Sequence, residues 1–185
     1  MPNQLLPVAV LDANILYPQF LRDVMLRVAA ENLYLPHWSA QIHSEWIRNV
    51  HADLGIPLDR IRASQQRMDS AFPGASIPSS PEDEAKFPTV HVKDRHVAAT
   101  AYSAHATHLV TWNLKHFSYT ELAAHSIQLS DPDTFLAGLF KDDLKTMLSV
   151  LERHREGLVK PPLTMAEYRR DWLRSGLTAA AAFLP

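Results

Sequence analysis

At 185 residues the chain is the size of one domain with room for a small appendage, and its 46% hydrophobic content excludes wholesale disorder. The absence of cysteine excludes disulfides and zinc–thiolate centres. A formal net charge of −2 excludes attachment to nucleic acid by bulk positive charge, so any such contact needs a local basic patch or a bound metal. No apolar run approaches the ~20 residues of a membrane span. Met1 to Pro7 lacks the basic start and cleavage site of a secretory signal. A cytoplasmic location is expected.

Val8 to Leu11 is a short apolar run ending in Asp12, the pattern of a buried parallel strand. Leu21, Val24, Met25, Val28 and Ala29 then follow helical spacing. Leu33 to Leu35 reads as a second strand stopped by Pro36. Ser39 is placed to cap a helix carrying Ile42, Trp46 and Val50 on one side. Leu58, Ile61, Gln65, Met68 and Phe72 outline the next helix. Pro73 to Pro88, with four prolines and the acids Glu82, Asp83 and Glu84, reads as a loop. Asp94 opens a helix with Val97, Ala98 and Ala101 inward. Leu109 to Trp112 is a third strand and Ile127 to Leu129 a fourth.

Strands separated by helices predict an α/β fold, with a central parallel sheet covered on both faces, a three-layer α/β/α sandwich. Asp131-Pro132-Asp133 is a helix start. Helices are expected from Thr134 to Glu156 and from Met165 to Leu173, with a break at Gly157 to Pro162. The expected organisation is a sheet domain over 1–130 and a C-terminal helical extension over 131–185. Ala179 to Ala182 is the one low-complexity run.

Asp12 ends the first strand, and ligands of open α/β sheets bind beyond strand ends. An Asx turn or a helix cap accounts for it equally well. Glu45, between Ile42 and Trp46, sits at the edge of an apolar stripe, where a carboxylate is costly to desolvate unless paired or metal-bound. A neighbour such as Arg48 can also serve it. Asp94 has N-capping as its ordinary role, and Asn113, at the end of the third strand, that of a turn residue. Together they say more. If the first and third strands are neighbours, Asp12, Glu45, Asp94 and Asn113 converge. Three close carboxylates raise one another's pKa, and an oxygen donor set without cysteine suits Mg²⁺ or Mn²⁺.

Four segments carry a family resemblance. Val10 to Leu16 (VLDANIL) resembles the opening motif of PIN domains. Ser44-Glu45-Trp46-Ile47-Arg48 resembles their second motif, Lys93 to Ala99 (KDRHVAA) their third, and Thr111 to Phe117 (TWNLKHF) their closing T-x-N-x-x-x-F segment. They stand in the family's order over residues 8 to 117. The resemblance implies a PIN-like sandwich and a metal-dependent endoribonuclease of the VapC toxin type. Asp12, Glu45 and Asp94 are then the metal ligands, and Asn113 takes a fourth position that is often acidic in relatives. Hydrolysis by water activated at the metal is implied, with Thr111 supporting the site. Also implied are an RNA substrate, a cognate antitoxin and a homodimer. This chain departs from the pattern at His116, where some relatives carry an acid, and at His91-Val92, where many have an acid and proline.

Arg22, Arg48, Arg95 and Lys115 lie near the motifs and can meet phosphates, or pair with carboxylates or solvent instead. Trp38, Trp46 and Trp112 can stack bases, but packing in the core is the expectation for all three. His96, His105 and His108 are not taken as metal ligands; His105 and His108 are expected late in a helix, facing water. Two other readings stand beside the nuclease. A haloacid-dehalogenase-type phosphatase needs a second Asp where the chain has Asn14, and Asp142-Asp143 comes too late to supply the downstream pair. A catalytically degenerate PIN module would bind RNA or a partner protein without cutting. Five unclustered glycines exclude a P-loop or dinucleotide site.

Overall fold

The structure, a computed structural model, describes residues 6–158 and 161–185. The expectation for Met1 to Pro7 and the break at Gly157 to Pro162 therefore fall partly outside the described residues. In chain order the elements are β1 (Val8–Leu11), α1 (Ala13–Leu16), α2 (Gln19–Ala30), β2 (Leu35–His37), α3 (Ala40–Leu54), α4 (Leu58–Ala71), α5 (Pro81–Glu84) and α6 (Arg95–Ser103). There follow β3 (His108–Val110), a 3₁₀ turn (Leu114–His116), α7 (Tyr119–Ala124), β4 (Gln128–Ser130), α8 (Pro132–Asp142), α9 (Leu144–Leu158), α10 (Met165–Arg174) and α11 (Thr178–Ala181).

The four strands form one parallel sheet in the order β2-β1-β3-β4. Helix α6 packs on β1 and β3, while α2 lies against β2 and α9 stacks on α2. This is the expected α/β/α sandwich with C-terminal helices. Val10, Leu11, Leu109 and Val110 are fully buried between the helical layers, and side chains of that size each contribute about 1.5–3 kcal/mol by leaving water.

Several elements differ from the sequence reading. Pro36 does not stop the second strand; it lies within β2, paired with Ala9. Leu35 donates its N–H to Pro7 on the β1 side, so the N–H that Pro36 lacks faces away from β1, where edge strands tolerate proline. The third strand ends at Val110, not Trp112. The proline-rich loop holds α5, with Ser80 accepting from the Asp83 N–H at 3.1 Å and Pro81 in the first turn. The segment Thr134 to Glu156 is two helices, not one. Asp143 leaves helical geometry (φ −145°, ψ 78°) and accepts from the Thr146 N–H and hydroxyl at 3.0 and 2.7 Å.

The C-terminal helices join the same core. Phe135 of α8 meets Tyr34 and His108 edge-on. Phe20 of α2 sits among His154, Tyr168 and Trp172. Gly176 (φ +80°) lies under Trp112, where a Cβ would come within 3.2 Å of the ring. No helix among the described residues is long and apolar enough to cross a membrane.

Candidate active site

The parallel register of β1 and β3 pairs Leu11 with Val110, and the Asp12 N–H extends that pairing by donating to the Val110 carbonyl at 3.1 Å. Asp12 and Thr111 therefore leave the sheet side by side. Thr111, fully buried, donates its hydroxyl proton to Asp12 Oδ2 at 2.6 Å. Its oxygen accepts from Asn14 Nδ2 at 2.9 Å and from the Asn113 N–H at 3.0 Å. Asn14 also donates to Asp12 Oδ2 at 2.7 Å and accepts from the Trp112 N–H at 3.0 Å. Asp12 Oδ1 accepts from the Ala13 N–H at 2.6 Å. Asp12 is thus both a helix cap and a nearly buried carboxylate. Burial raises its pKa above the usual carboxylate value; Thr111 and Ala13 oppose that, and the charges of Asp94 and Glu45 add to it.

Glu45 enters from the side. Ser39 caps α3 by accepting from the Ile42 N–H at 3.2 Å, and the helix buries Ile42, Trp46, Ile47 and Val50. Glu45 lies at the border of that stripe. Its Oε1 is 3.0 Å from Nε2 of the buried His96, an ion-pair distance without hydrogen-bond alignment, so neither ring nitrogen of His96 has a hydrogen-bond partner.

Asp94 occupies the N-cap position of α6 but makes no side-chain cap bond. Its Oδ2 instead lies 3.0 Å from His91 Nδ1 and 3.1 Å from His116 Nδ1. The ordinary explanation for an aspartate at a helix start does not apply to it.

Asp12, Glu45, Asp94 and Asn113 line one cavity of about 320 Å³, together with Ala13, Asn14, Tyr17, Asn49 and Asp53. Asn49 and Asp53 were not singled out from the sequence. Their signal was spacing: residues 45, 49 and 53 fall one helical turn apart on α3. Asp53, within 3.2 Å of the Tyr17 hydroxyl, adds a further carboxylate to the rim. The donors suit a hard cation. They are carboxylate and amide oxygens, and at Asp12 burial and two neighbouring acids disfavour the negative charge that a cation would neutralise.

The basic residues named from the sequence lie apart from one another. Arg22 is buried, donates to the Leu16 carbonyl at 2.6 Å and covers the Trp46 ring at 4.9 Å. Arg95 donates to the Val90 and Pro88 carbonyls at 3.1 and 2.7 Å. Arg48 faces a different cavity, beside His43, His51 and Arg62. Lys115 is exposed, two residues beyond Asn113. Trp38 and Trp46 are in the core, but Trp112 is 38% exposed, contrary to the expectation that it packs inside. His108 is in β3 rather than late in a helix, and burial lowers its pKa. His105 follows α6 with a left-handed backbone, φ 49°.

The VapC50 C-terminal domain family matches residues 132–184, the segment from α8 through α11. The C-terminal helices of this chain are therefore similar to that domain. The chain is 35% identical over 77 residues to a Mycobacterium tuberculosis protein named "Putative ribonuclease VapC50". That stretch covers 40% of this chain and 44% of the relative, so the chain spans less than half the length of the curated relative it matches. No solved structure matches it.

Proposed function

We propose that this protein is a VapC-like PIN-domain toxin, a metal-dependent endoribonuclease that hydrolyses RNA phosphodiester bonds. The observation that carries the proposal is the lining of one cavity by Asp12 from the end of β1, Glu45 from α3 and Asp94 from the start of α6. The name of the mycobacterial relative points the same way.

Asp12, Glu45 and Asp94 would hold Mg²⁺ or Mn²⁺, with Asn113 as a polar partner. When bound, the cation supplies Lewis acidity and charge neutralisation at a phosphodiester. The chain's own groups do the positioning. Thr111 and Asn14 fix the rotamer of Asp12 through two hydrogen bonds to Oδ2, leaving its charge directed by the fold rather than by solvent. Glu45, at the cavity wall and only partly exposed, is placed to bind the cation or to orient an attacking water. Lys115, exposed two residues beyond Asn113, is the basic residue this reading assigns to a backbone phosphate.

Other features of VapC-type toxins belong to this reading: a cognate antitoxin that blocks the acidic cavity with a cation, assembly as a homodimer, and action in the cytoplasm. The division into a nuclease domain over 1–130 and a helical extension over 131–185 is part of it as well. The test is cleavage of RNA with Mg²⁺ or Mn²⁺ by the wild type and by Asp12→Asn, with chelator as control. Metal-dependent cleavage lost in the variant supports the proposal. Cleavage that survives both the substitution and chelation overturns it, and binding without cleavage favours the degenerate module.

A further inference from the structure

Two of the departures from the acidic pattern of the resemblance, His91 and His116, are histidines, and the fold brings them to the same carboxylate. His91 opens the turn that leads into α6, and the Asp94 N–H donates to its carbonyl at 2.8 Å. His116 ends the 3₁₀ turn after Asn113, and its carbonyl accepts from the His91 N–H at 2.8 Å. This backbone clasp stacks the two rings, with centroids 4.8 Å apart and planes 27° from parallel. Both Nδ1 atoms are directed at Asp94 Oδ2. One potential ligand atom from each of the three residues lies within 4.8 Å of the other two.

We infer that His91, Asp94 and His116 form a second divalent-metal site, selective for a borderline cation of the Zn²⁺ class and distinct from the all-oxygen cavity beside it. Two imidazole nitrogens and one carboxylate oxygen are donors that Zn²⁺, Co²⁺ and Ni²⁺ prefer, whereas Mg²⁺ takes oxygen ligands and keeps its water. Three protein ligands with partly exposed side chains (46%, 16% and 31%) leave a coordination position open to solvent, the arrangement of metal sites that accept a water or a substrate oxygen. The clasp holds the ligands before any metal arrives, so little ordering is required on binding. Asp94 belongs to both places. Its Oδ2 faces the histidines, and the residue also lines the cavity of Asp12 and Glu45. The inference rests on the positions of these three side chains and not on nuclease activity.

Two direct hydrogen bonds from the imidazoles to Asp94, with no metal, are the competing account, and metal titration separates the two. Co²⁺ is added to the metal-free full-length chain and followed by visible absorption, then displaced with Zn²⁺. Parallel titrations use His91→Ala, His116→Ala and Asp12→Asn, each checked for a native far-UV circular dichroism spectrum and melting transition. The expected result is one Co²⁺ band set that Zn²⁺ displaces and a large excess of Mg²⁺ does not. Affinity should weaken by about tenfold or more in each histidine variant, the loss that even an outer-shell partner causes, and stay unchanged in Asp12→Asn. No Co²⁺ spectrum in the wild type, or unchanged affinity in either histidine variant, would overturn the site. Because none of these readouts uses RNA, failure here leaves the ribonuclease proposal standing, and failure of cleavage leaves this site standing.

Discussion

Thr111 and Asp12, ninety-nine positions apart, meet through a 2.6 Å hydrogen bond from the threonine hydroxyl to Asp12 Oδ2. The bond exists because β1 and β3 are parallel neighbours in a register that ends one residue earlier, at Leu11 and Val110. Thr111 is thereby the residue through which the sheet sets the orientation of the acid.

Thr111→Val keeps the shape and deletes the hydroxyl. It removes a donor from Asp12 and leaves the Asn113 N–H and the Asn14 amide short of an acceptor. Loss of a buried partner costs about 1–3 kcal/mol, to be read as a lower denaturation midpoint. Cleavage should fall as well, and Thr111→Ser should restore most of both. A valine variant as stable and active as wild type would remove Thr111 from the site.

His96 separates activity from stability. Both its nitrogens are buried without a hydrogen-bond partner, and Nε2 lies 3.0 Å from Glu45. Replacing it with leucine removes two unsatisfied polar atoms, so stability should change by less than about 1 kcal/mol. Glu45 loses its neighbour, and kcat for RNA cleavage should drop by about ten- to a hundredfold, the usual cost of deleting a group behind a metal ligand, the role proposed for Glu45. Equal losses of stability and activity would indicate a packing role only.

The sheet and the approach of its first and third strands were legible because apolar runs and intervening helical patterns leave few topologies. So was the gathering of Asp12, Glu45, Asp94 and Asn113 around one cavity. Other features were not. Asp94 looks like a helix cap from sequence, and only coordinates show its carboxylate turned to two histidines. Trp112 was read as core because tryptophan is large and apolar, but its strand ends two residues earlier and α10 is followed by a glycine that supports the ring from below. The helix break at Asp143 did carry a signal, an Asp three residues before Thr146, which the unbroken apolar pattern around it masked. Asp53 carries no motif of its own, and only its position two helical turns beyond Glu45 on α3 links it to the cavity.

Metal affinity at the acidic cavity should depend on pH. Burial raises the pKa of Asp12 above the ordinary aspartate value of 3.8, and ligation requires the carboxylate, so a cation must displace a proton there. The Mn²⁺ affinity of wild type should weaken toward about tenfold per pH unit once the pH falls below the raised pKa of Asp12. That fall should begin above pH 3.8. It can be followed as the Mn²⁺-induced rise in melting temperature across the acidic range. An affinity flat down to the pKa of an ordinary aspartate would show that Asp12 is not a ligand.

Gly176→Ala tests whether the C-terminal helices support the loop that carries Asn113. The glycine has φ +80°, and an added Cβ would press on Trp112 at 3.2 Å. A left-handed non-glycine residue costs about 1–2 kcal/mol, and displacement of the exposed indole adds to it. The expected outcome is a lower melting temperature with reduced cleavage, relieved in part by Trp112→Leu. If Trp112→Leu gives no relief, the ring contact carries none of the cost.

His154 links stability to pH from the far side of the molecule. It is buried against Phe20, with Nδ1 2.8 Å from the Tyr168 hydroxyl. Burial lowers its pKa to about 4 from 6.5, and Arg27 contributes in the same direction. The neutral ring is therefore favoured in the folded state, and the unfolded chain binds the proton first. Stability from this residue is complete above pH 6.5 and is lost as pH falls toward 4. At about 1.4 kcal/mol per pKa unit, the loss over that window is on the order of 3 kcal/mol. His154→Gln, neutral throughout, should flatten this part of the stability profile while leaving the acidic cavity in place. Denaturant midpoints measured across the window in both proteins decide the matter: parallel profiles would mean that protonated His154 is tolerated in the fold.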